Sequence, residues 1–130
     1  MECATSAECP FCHPESTRVI ARHPHFLLYQ DGFPVSPGHT LVIPYRHVAT
    51  IAELTADEQA ALFPAVLAAQ KLLNESHRPD GYNIGINQGV AGGQTVPHLH
   101  IHVIPRCHGD QMDPRGGVRW IFPEKADYWS

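Results

Sequence analysis

Gly92-Gly93-Gln94-Thr95-Val96-Pro97-His98-Leu99-His100-Ile101-His102-Val103-Ile104 sets three histidines at every second position, with large apolar residues between them. Period-two alternation over this length predicts a half-buried β-strand. Alternate side chains of a strand share a face. His98, His100 and His102 therefore form an imidazole row on one side, and Leu99, Ile101 and Val103 face the core on the other. A glycine-rich loop runs directly into the row, a combination that points to phosphate chemistry.

At 130 residues the chain fits one domain with a hydrophobic core of its own. Its 43% apolar and 17% charged residues are those of a soluble globular protein. A net charge of −4 gives no electrostatic case for long nucleic acid, which wants a basic face. Ten histidines raise the prior for metal or acid–base work. Met1 to Pro10 lacks the pattern of a signal peptide, and no apolar run is long enough to span a bilayer, so the cytoplasm is the expected compartment. Without an export signal, Cys3, Cys9, Cys12 and Cys107 read as thiols or metal ligands rather than a disulfide framework.

Working outward from the histidines, the elements fall into an α+β order. Residues 1–8 read as a flexible arm. Short strands are expected at Thr17–Ala21, His25–Gln30 and Thr40–Ile43, with turns at Asp31-Gly32-Phe33-Pro34 and Ser36-Pro37-Gly38. Thr55-Ala56-Asp57-Glu58 is a capping box that opens a helix running to about His77. Leu62, Val66, Ala69 and Leu73 lie on its core face, and Pro64 predicts a kink or a later start. Tyr82–Asn87 is another alternating strand, Gln88–Gly93 a loop, and Val118–Phe122 a further short strand. Tyr128 and Trp129 are apolar enough to call for burial.

The histidine spacing and its apolar flanks resemble the signature of the histidine-triad (HIT) family, His-x-His-x-His followed by two apolar residues. The likeness extends to Asp31, to Pro37-Gly38-His39-Thr40-Leu41-Val42-Ile43-Pro44, and to Asn87 with Gly93-Gln94-Thr95, so it spans roughly positions 9 to 106. It implies a HIT-like fold, an antiparallel sheet of about five strands with one long helix, over a single domain 1–130 in which 107–130 is a C-terminal extension. It also implies that His100 is the nucleophile that attacks an α-phosphate to give a nucleotidyl-histidine. His98 would orient that ring through its backbone carbonyl, and His102 would stand near the leaving group. A histidine at 102 resembles the hydrolase branches, whereas the transferase branch carries glutamine there. Asp31 corresponds to the family's ribose-hydroxyl acceptor, and Asn87, Gln94 and Thr95 to its phosphate-side contacts.

The chemistry stands without the name. A neutral imidazole is a competent nucleophile toward phosphorus, and its ordinary pKa leaves it mostly neutral at pH 7. A covalent intermediate divides one difficult displacement into two easier ones. The bland alternatives are a solvent-facing polar strand for the triad, a plain turn residue for Asp31, and loop-holding roles for Asn87, Gln94 and Thr95.

Cys9-x-x-Cys12 has the spacing of half a zinc site. Relatives in the family complete such a site with a histidine after the Ile-Pro strand and with the first triad histidine, which here implies Cys9, Cys12, His47 and His98. Four protein ligands close the tetrahedron, so such a zinc is structural. A thioredoxin-like redox pair and two uncoordinated thiols are the rival readings; His13-Pro14 argues against the helix a redox pair needs.

The function expected is hydrolysis of a dinucleoside polyphosphate or nucleoside phosphoramidate, with no organic cofactor. The alternatives are a nucleotide-sensing module with little turnover, or a nucleotidyltransferase. A catalytic metal held by the row itself is disfavoured: strand positions four apart lie roughly 13 Å apart, too far for one ion to take all three. The family is commonly homodimeric, and the apolar tail is compatible with that.

Overall fold

In the computed structural model, which describes residues 8–130, the short apolar runs become one antiparallel sheet. The arm expected at the N-terminus, with Cys3, lies outside the described residues apart from Glu8. Strands β1 (Val19–His23) and β2 (Phe26–Gln30) form a hairpin around Pro24-His25, with His23 opposite Phe26. Strand β3 (Thr40–Pro44) pairs with β2, and β5 (Ile101–Arg106) lies between β3 and β4 (Gly81–Gly85). The order β1-β2-β3-β5-β4 leaves β1 and β4 as edges. Every residue of β3 is buried. Both faces of this central strand are covered, which is why Leu41-Val42-Ile43 is apolar throughout and does not alternate.

Helix α1 (Ala56–Ser76) covers one face of the sheet. Its start is fixed by the capping box: the Glu58 N–H donates to Thr55 Oγ1 at 3.1 Å, and the Thr55 N–H donates to Glu58 Oε1 at 2.8 Å. The helix begins there and runs through Pro64, so the later start that Pro64 offered is not taken. Pro64 and Ala60 are both exposed, and water can satisfy the Ala60 carbonyl that the proline ring leaves without a donor. The inward face, with Ala65, Val66, Ala69 and Leu73, packs on Phe26, Leu28, Val42, Leu99, Ile101 and Val103. The other face of the sheet holds Leu27, Tyr29, Leu41 and Ile43, with Phe11 and Val19 against them.

Two expected strands differ. The ladder of β5 begins at Ile101, so His98 and His100 precede the strand. Pro97 has no N–H to give a ladder, and the Leu99 N–H donates instead to the Val48 carbonyl at 2.6 Å, in the segment after β3. Alternation of faces survives: Leu99, Ile101 and Val103 are all at most 2% exposed in the core. The strand expected at Val118–Phe122 is a 3₁₀ helix over Gly117–Ile121. Gly116 and Gly117 take φ of 96° and 49°, which turn the chain into local bonds from the Arg119 N–H to the Gly116 carbonyl and from the Phe122 N–H to the Arg119 carbonyl. In the same tail, Tyr128 stays 71% exposed, contrary to the expected burial, with the Arg119 guanidinium over its ring at 4.7 Å, while Trp129 is half-buried. Among the described residues no helix is long and apolar enough to cross a membrane.

Candidate active site and metal centre

The three triad histidines lie on the sheet face opposite α1 in unequal surroundings. His98 is fully buried, His100 is 8% exposed and His102 is half-buried. His100 Nδ1 is 2.9 Å from the His98 carbonyl. A carbonyl only accepts, so in the neutral ring of His100 the proton is on Nδ1 and the lone pair on Nε2. The edge of the Phe11 ring packs on His100, with centroids 5.0 Å apart, and also on His98 and Tyr29. Phe11 sits between the two cysteines of Cys9-x-x-Cys12, so whatever holds that pair also sets one wall of the site.

The ring of His98 faces away from His100. Its Nε2 donates to the Pro44 carbonyl at 2.8 Å, leaving the Nδ1 lone pair directed into a second cluster. Cys9 Sγ is 3.3 Å and Cys12 Sγ 3.5 Å from His98 Nδ1; His47 Nδ1 is 3.3 Å from Cys12 Sγ and 3.2 Å from His98 Nδ1. Cys9, Cys12, His47 and His98 thus turn one donor atom each toward a common centre and can hold a metal ion. Burial, and then the neighbouring Cys9, push the Cys12 thiol up to about 11, while burial above all lowers the His98 pKa. These are the directions expected of ligands gathered in a dry pocket.

His47 is placed by its neighbours. The Arg46 guanidinium donates through Nε and Nη2 to the buried Glu58 carboxylate at 2.7–3.2 Å and through Nη2 to the Glu53 carbonyl at 2.9 Å. The capping glutamate of α1 therefore anchors the segment carrying His47 and Val48. The side-chain hydrogen bonds to Arg46, ahead of its other contacts, lower the Glu58 carboxyl to about 2.

A third group was missed from the sequence. His39, 4% exposed, has Nε2 2.9 Å from His102 Nδ1 and 3.4 Å from Asp31 Oδ2. The sequence places His39 only at the head of a buried strand, where a histidine turned inward is an expensive placement without a partner; the Leu41–His102 register brings it beside His102. Burial lowers the His39 pKa, and burial followed by the His100 and His39 rings lowers His102 to about 4. Asp31 Oδ1 accepts from the Phe33 N–H at 2.7 Å, an Asx turn, while Oδ2 faces His39 and His102.

Of the expected phosphate-side residues, Gln94 is buried and uses its amide within the protein. Its Oε1 accepts from the Gly89 N–H at 2.9 Å and its Nε2 donates to the Ala49 carbonyl at 3.0 Å. Asn87 and Thr95 are exposed on the loops before and after it. Arg115 and Arg119 are engaged within the tail: Arg115 pairs with Asp113 and lies over Trp129, and Arg119 donates to the Lys125 and Ala126 carbonyls.

This geometry has relatives. The HIT domain profile matches residues 14–109. A Mycobacterium tuberculosis protein named AP-4-A phosphorylase is 38% identical over 104 residues, covering 79% of this chain and 53% of that protein. A Schizosaccharomyces pombe protein named bis(5'-nucleosyl)-tetraphosphatase [asymmetrical] is 46% identical over 97 residues, covering 75% of this chain and 53% of its own length. The chain thus spans about half the length of these curated relatives. Among solved structures, a zinc-bound histidine triad family protein from Mycobacterium smegmatis superposes with a TM-score of 0.73 at 34% identity, covering 84% of this chain and 82% of the other. A HIT family member from Bacillus subtilis gives 0.72 at 33% identity, covering 78% and 75%. The chain belongs to the histidine-triad family.

Proposed function

We propose that this chain cleaves a nucleotide conjugate at its α-phosphate through a covalent nucleotidyl intermediate on His100. The observation that carries the reading is the contact of His100 Nδ1 with the His98 carbonyl at 2.9 Å. It fixes the proton on Nδ1 and presents the Nε2 lone pair as nucleophile before substrate arrives, so no rotation or tautomer change precedes attack. The Nε2 pair forms the N–P bond while the bond from phosphorus to the leaving atom breaks. Water then attacks the same phosphorus and releases the nucleoside monophosphate and free His100. His102 stands beside the leaving group. A carboxylate accepts at up to about four lone-pair sites, so Asp31 can take a ribose hydroxyl while it holds its Asx turn. Asn87 and Thr95 line the phosphate side, and Gln94 shapes the loop between them. The described residues 8–130 read as a single domain, with 107–130 as a C-terminal extension.

Cys9, Cys12, His47 and His98 fit a zinc ion. Bonds of about 2.3 Å to sulfur and about 2.0–2.1 Å to nitrogen give tetrahedral edges of about 3.3–3.8 Å; four of the six donor-to-donor distances are 3.2–3.5 Å, and all lie within 4.8 Å. Such an ion supplies structural cross-linking, tying the Cys9–Cys12 turn to the segment that orients His100. His98 serves both functions without conflict, its ring toward the cluster and its carbonyl toward His100.

Dinucleoside polyphosphates are the favoured substrates, since both curated relatives described above carry names of that class. One of those names is phosphorylase, which makes inorganic phosphate an alternative acceptor to water. Incubation with diadenosine tetraphosphate and with an adenosine phosphoramidate, each with and without phosphate, separates these. Adenosine monophosphate reports water as acceptor, and adenosine diphosphate formed only with phosphate reports phosphorolysis. Equal rates for wild type and His100→Ala refute the mechanism, and tight binding without product indicates a sensing module. We also propose a homodimer. Among the described residues β4 is an edge strand, and its exposed Ile84 lies beside exposed Phe63 and Leu67 of α1. A monomeric mass by light scattering at high protein concentration refutes it.

A further inference from the structure

Arg18 closes the short 3₁₀ turn Ser16–Arg18 that leads into β1, and its guanidinium lies over the ring of Tyr29, with Cζ 4.4 Å from the ring centroid. Nε and Nη2 donate to the Gln30 carbonyl at 3.2 and 3.0 Å, and Nη1 is 3.5 Å from Glu15 Oε2. Tyr29 is 1% exposed, and its hydroxyl accepts from the Glu15 N–H at 2.9 Å. The ring beneath the guanidinium is thus packed and hydrogen-bonded in place. Much of the rotamer freedom an arginine would lose on meeting a ligand is already lost.

Gly32 makes the room. A Cβ at position 32 would stand 2.9 Å from Arg18 Nη2 and 3.2 Å from Arg18 Cζ, so the guanidinium lies where a side chain would otherwise be. Consecutive Cα atoms are about 3.8 Å apart. The guanidinium is therefore one step along the chain from Asp31, the ribose-hydroxyl acceptor in the function proposed above. Tyr29 also meets Phe11 edge-on with centroids 6.4 Å apart, and Phe11 meets His100 at 5.0 Å. His100, Phe11, Tyr29 and Arg18 form a row on the face opposite α1, with Arg18 at its outer end.

We infer that Arg18 is a specificity-determining residue whose guanidinium is a stacking platform for the base of the nucleotide. The inference rests on the nucleotidyl-transfer reading above and adds the base to it. With the α-phosphate at His100 and the ribose at Asp31, the base is carried beyond the sugar, to the Arg18 end of the row. One face of the guanidinium rests on Tyr29, and the side chain keeps 29% of its surface exposed for a second partner. Bases stack on guanidinium planes as they do on aromatic rings, and removing such a partner costs roughly 5–150-fold in binding. A plane rewards area, so the platform favours a purine over a pyrimidine. It is remote from the reacting phosphorus and holds ground state and transition state alike, so its effect falls on KM and leaves kcat alone. Lysine carries the charge without the plane and does not substitute.

The test is steady-state kinetics of the full chain on diadenosine and diuridine tetraphosphate. Arg18→Ala is expected to raise KM for the adenosine substrate about 10-fold with kcat within about twofold, and to raise KM for the uridine substrate less. Arg18→Lys should resemble Arg18→Ala. Gly32→Ala keeps the arginine and its charge and drives a Cβ into the guanidinium; Gly32 lies outside the left-handed region, so its backbone accepts alanine. That variant should raise KM in the same way and add nothing in the Arg18→Ala background. Wild-type KM in Arg18→Ala, or wild-type KM in Arg18→Lys, overturns the inference, the second by showing that charge suffices. A Gly32→Ala effect that persists in full without Arg18 also overturns it, by placing the effect on Asp31. Calorimetric titration with adenosine monophosphate separates this inference from the reading it rests on. If no form cleaves either substrate, the functional reading fails; an affinity for the monophosphate about 10-fold weaker in Arg18→Ala still supports the platform, and an equal affinity overturns it.

Discussion

Replacing Glu58 by glutamine removes the charge that joins the start of α1 to the segment bearing His47. The Glu58 side chain is 4% exposed and its partner Arg46 is 52% exposed. Breaking a fully buried pair costs about 3–5 kcal/mol and losing an exposed one about 0–1 kcal/mol. With one partner in water, the expected loss lies between, about 2 kcal/mol. Glutamine keeps an oxygen for the Thr55 N–H, so the capping box survives; Glu58→Ala loses that as well, for about 1 kcal/mol more. In a chain of this size about 2 kcal/mol lowers Tm by roughly 6–10 °C. The pH dependence is diagnostic. The Glu58 carboxyl titrates at about 2 in the folded protein against an ordinary 4.5. Its contribution is thus fully present above the unfolded value and is lost as pH falls through the folded one. Urea melts of wild type and Glu58→Gln at a series of pH values should show a gap that is constant from pH 6 to 8 and closes between about 4.5 and 2. A gap absent at pH 7, or one unchanged at pH 2.5, refutes the reasoning.

Further outcomes follow from the same contacts. Cys12→Ser should lower bound zinc from about one ion per chain to well below that, with a lower Tm, in metal analysis of the purified protein; full zinc occupancy in the variant contradicts the four-ligand site. The His102 ring, lowered to about 4 by burial and then by the neighbouring His100 and His39, should remain neutral at pH 5.5 in an NMR titration. Its sign is the reverse of a salt-bridged histidine: the unfolded chain takes up the proton first, so this group's share of stability declines as pH drops from about 6.5 to 4. Gly38→Ala should destabilise by about 1 kcal/mol or more in denaturant melts. Gly38 holds φ at 88°, and an added Cβ would lie 3.0 Å from Leu73 Cδ2 and 3.1 Å from the His77 ring.

Much of this architecture can be read in the chain itself. Alternation at Leu99, Ile101 and Val103 reports the core face whether or not a ladder forms, so the faces were legible while the strand start was not. That start is set by Val48, a residue 51 positions away that takes the Leu99 N–H, and no local pattern encodes such a choice. Thr55 and Glu58 mark the helix start because capping is local chemistry. The exposure of Pro64, which lets the helix continue through it, depends on where the sheet lies. The Cys9-x-x-Cys12 spacing indicated half a metal site, and its other half came from resemblance. His39 was overlooked because it sits alone in the sequence; it joins the site only through the Leu41–His102 register of β3 and β5. Val118–Phe122 misled because its apolar residues resemble a strand, and the two glycines before it decide otherwise.

The covalent step on His100 leaves a trappable intermediate. Wild-type protein mixed rapidly with diadenosine tetraphosphate, quenched in alkali to preserve an N–P bond and analysed by peptide mass spectrometry, should carry one adenylyl group on the peptide containing His100. The label should map to that residue, appear before product reaches steady state, and be absent from His100→Ala. Product formation with no adenylylated peptide at any quench time, or a label on another residue, contradicts the account.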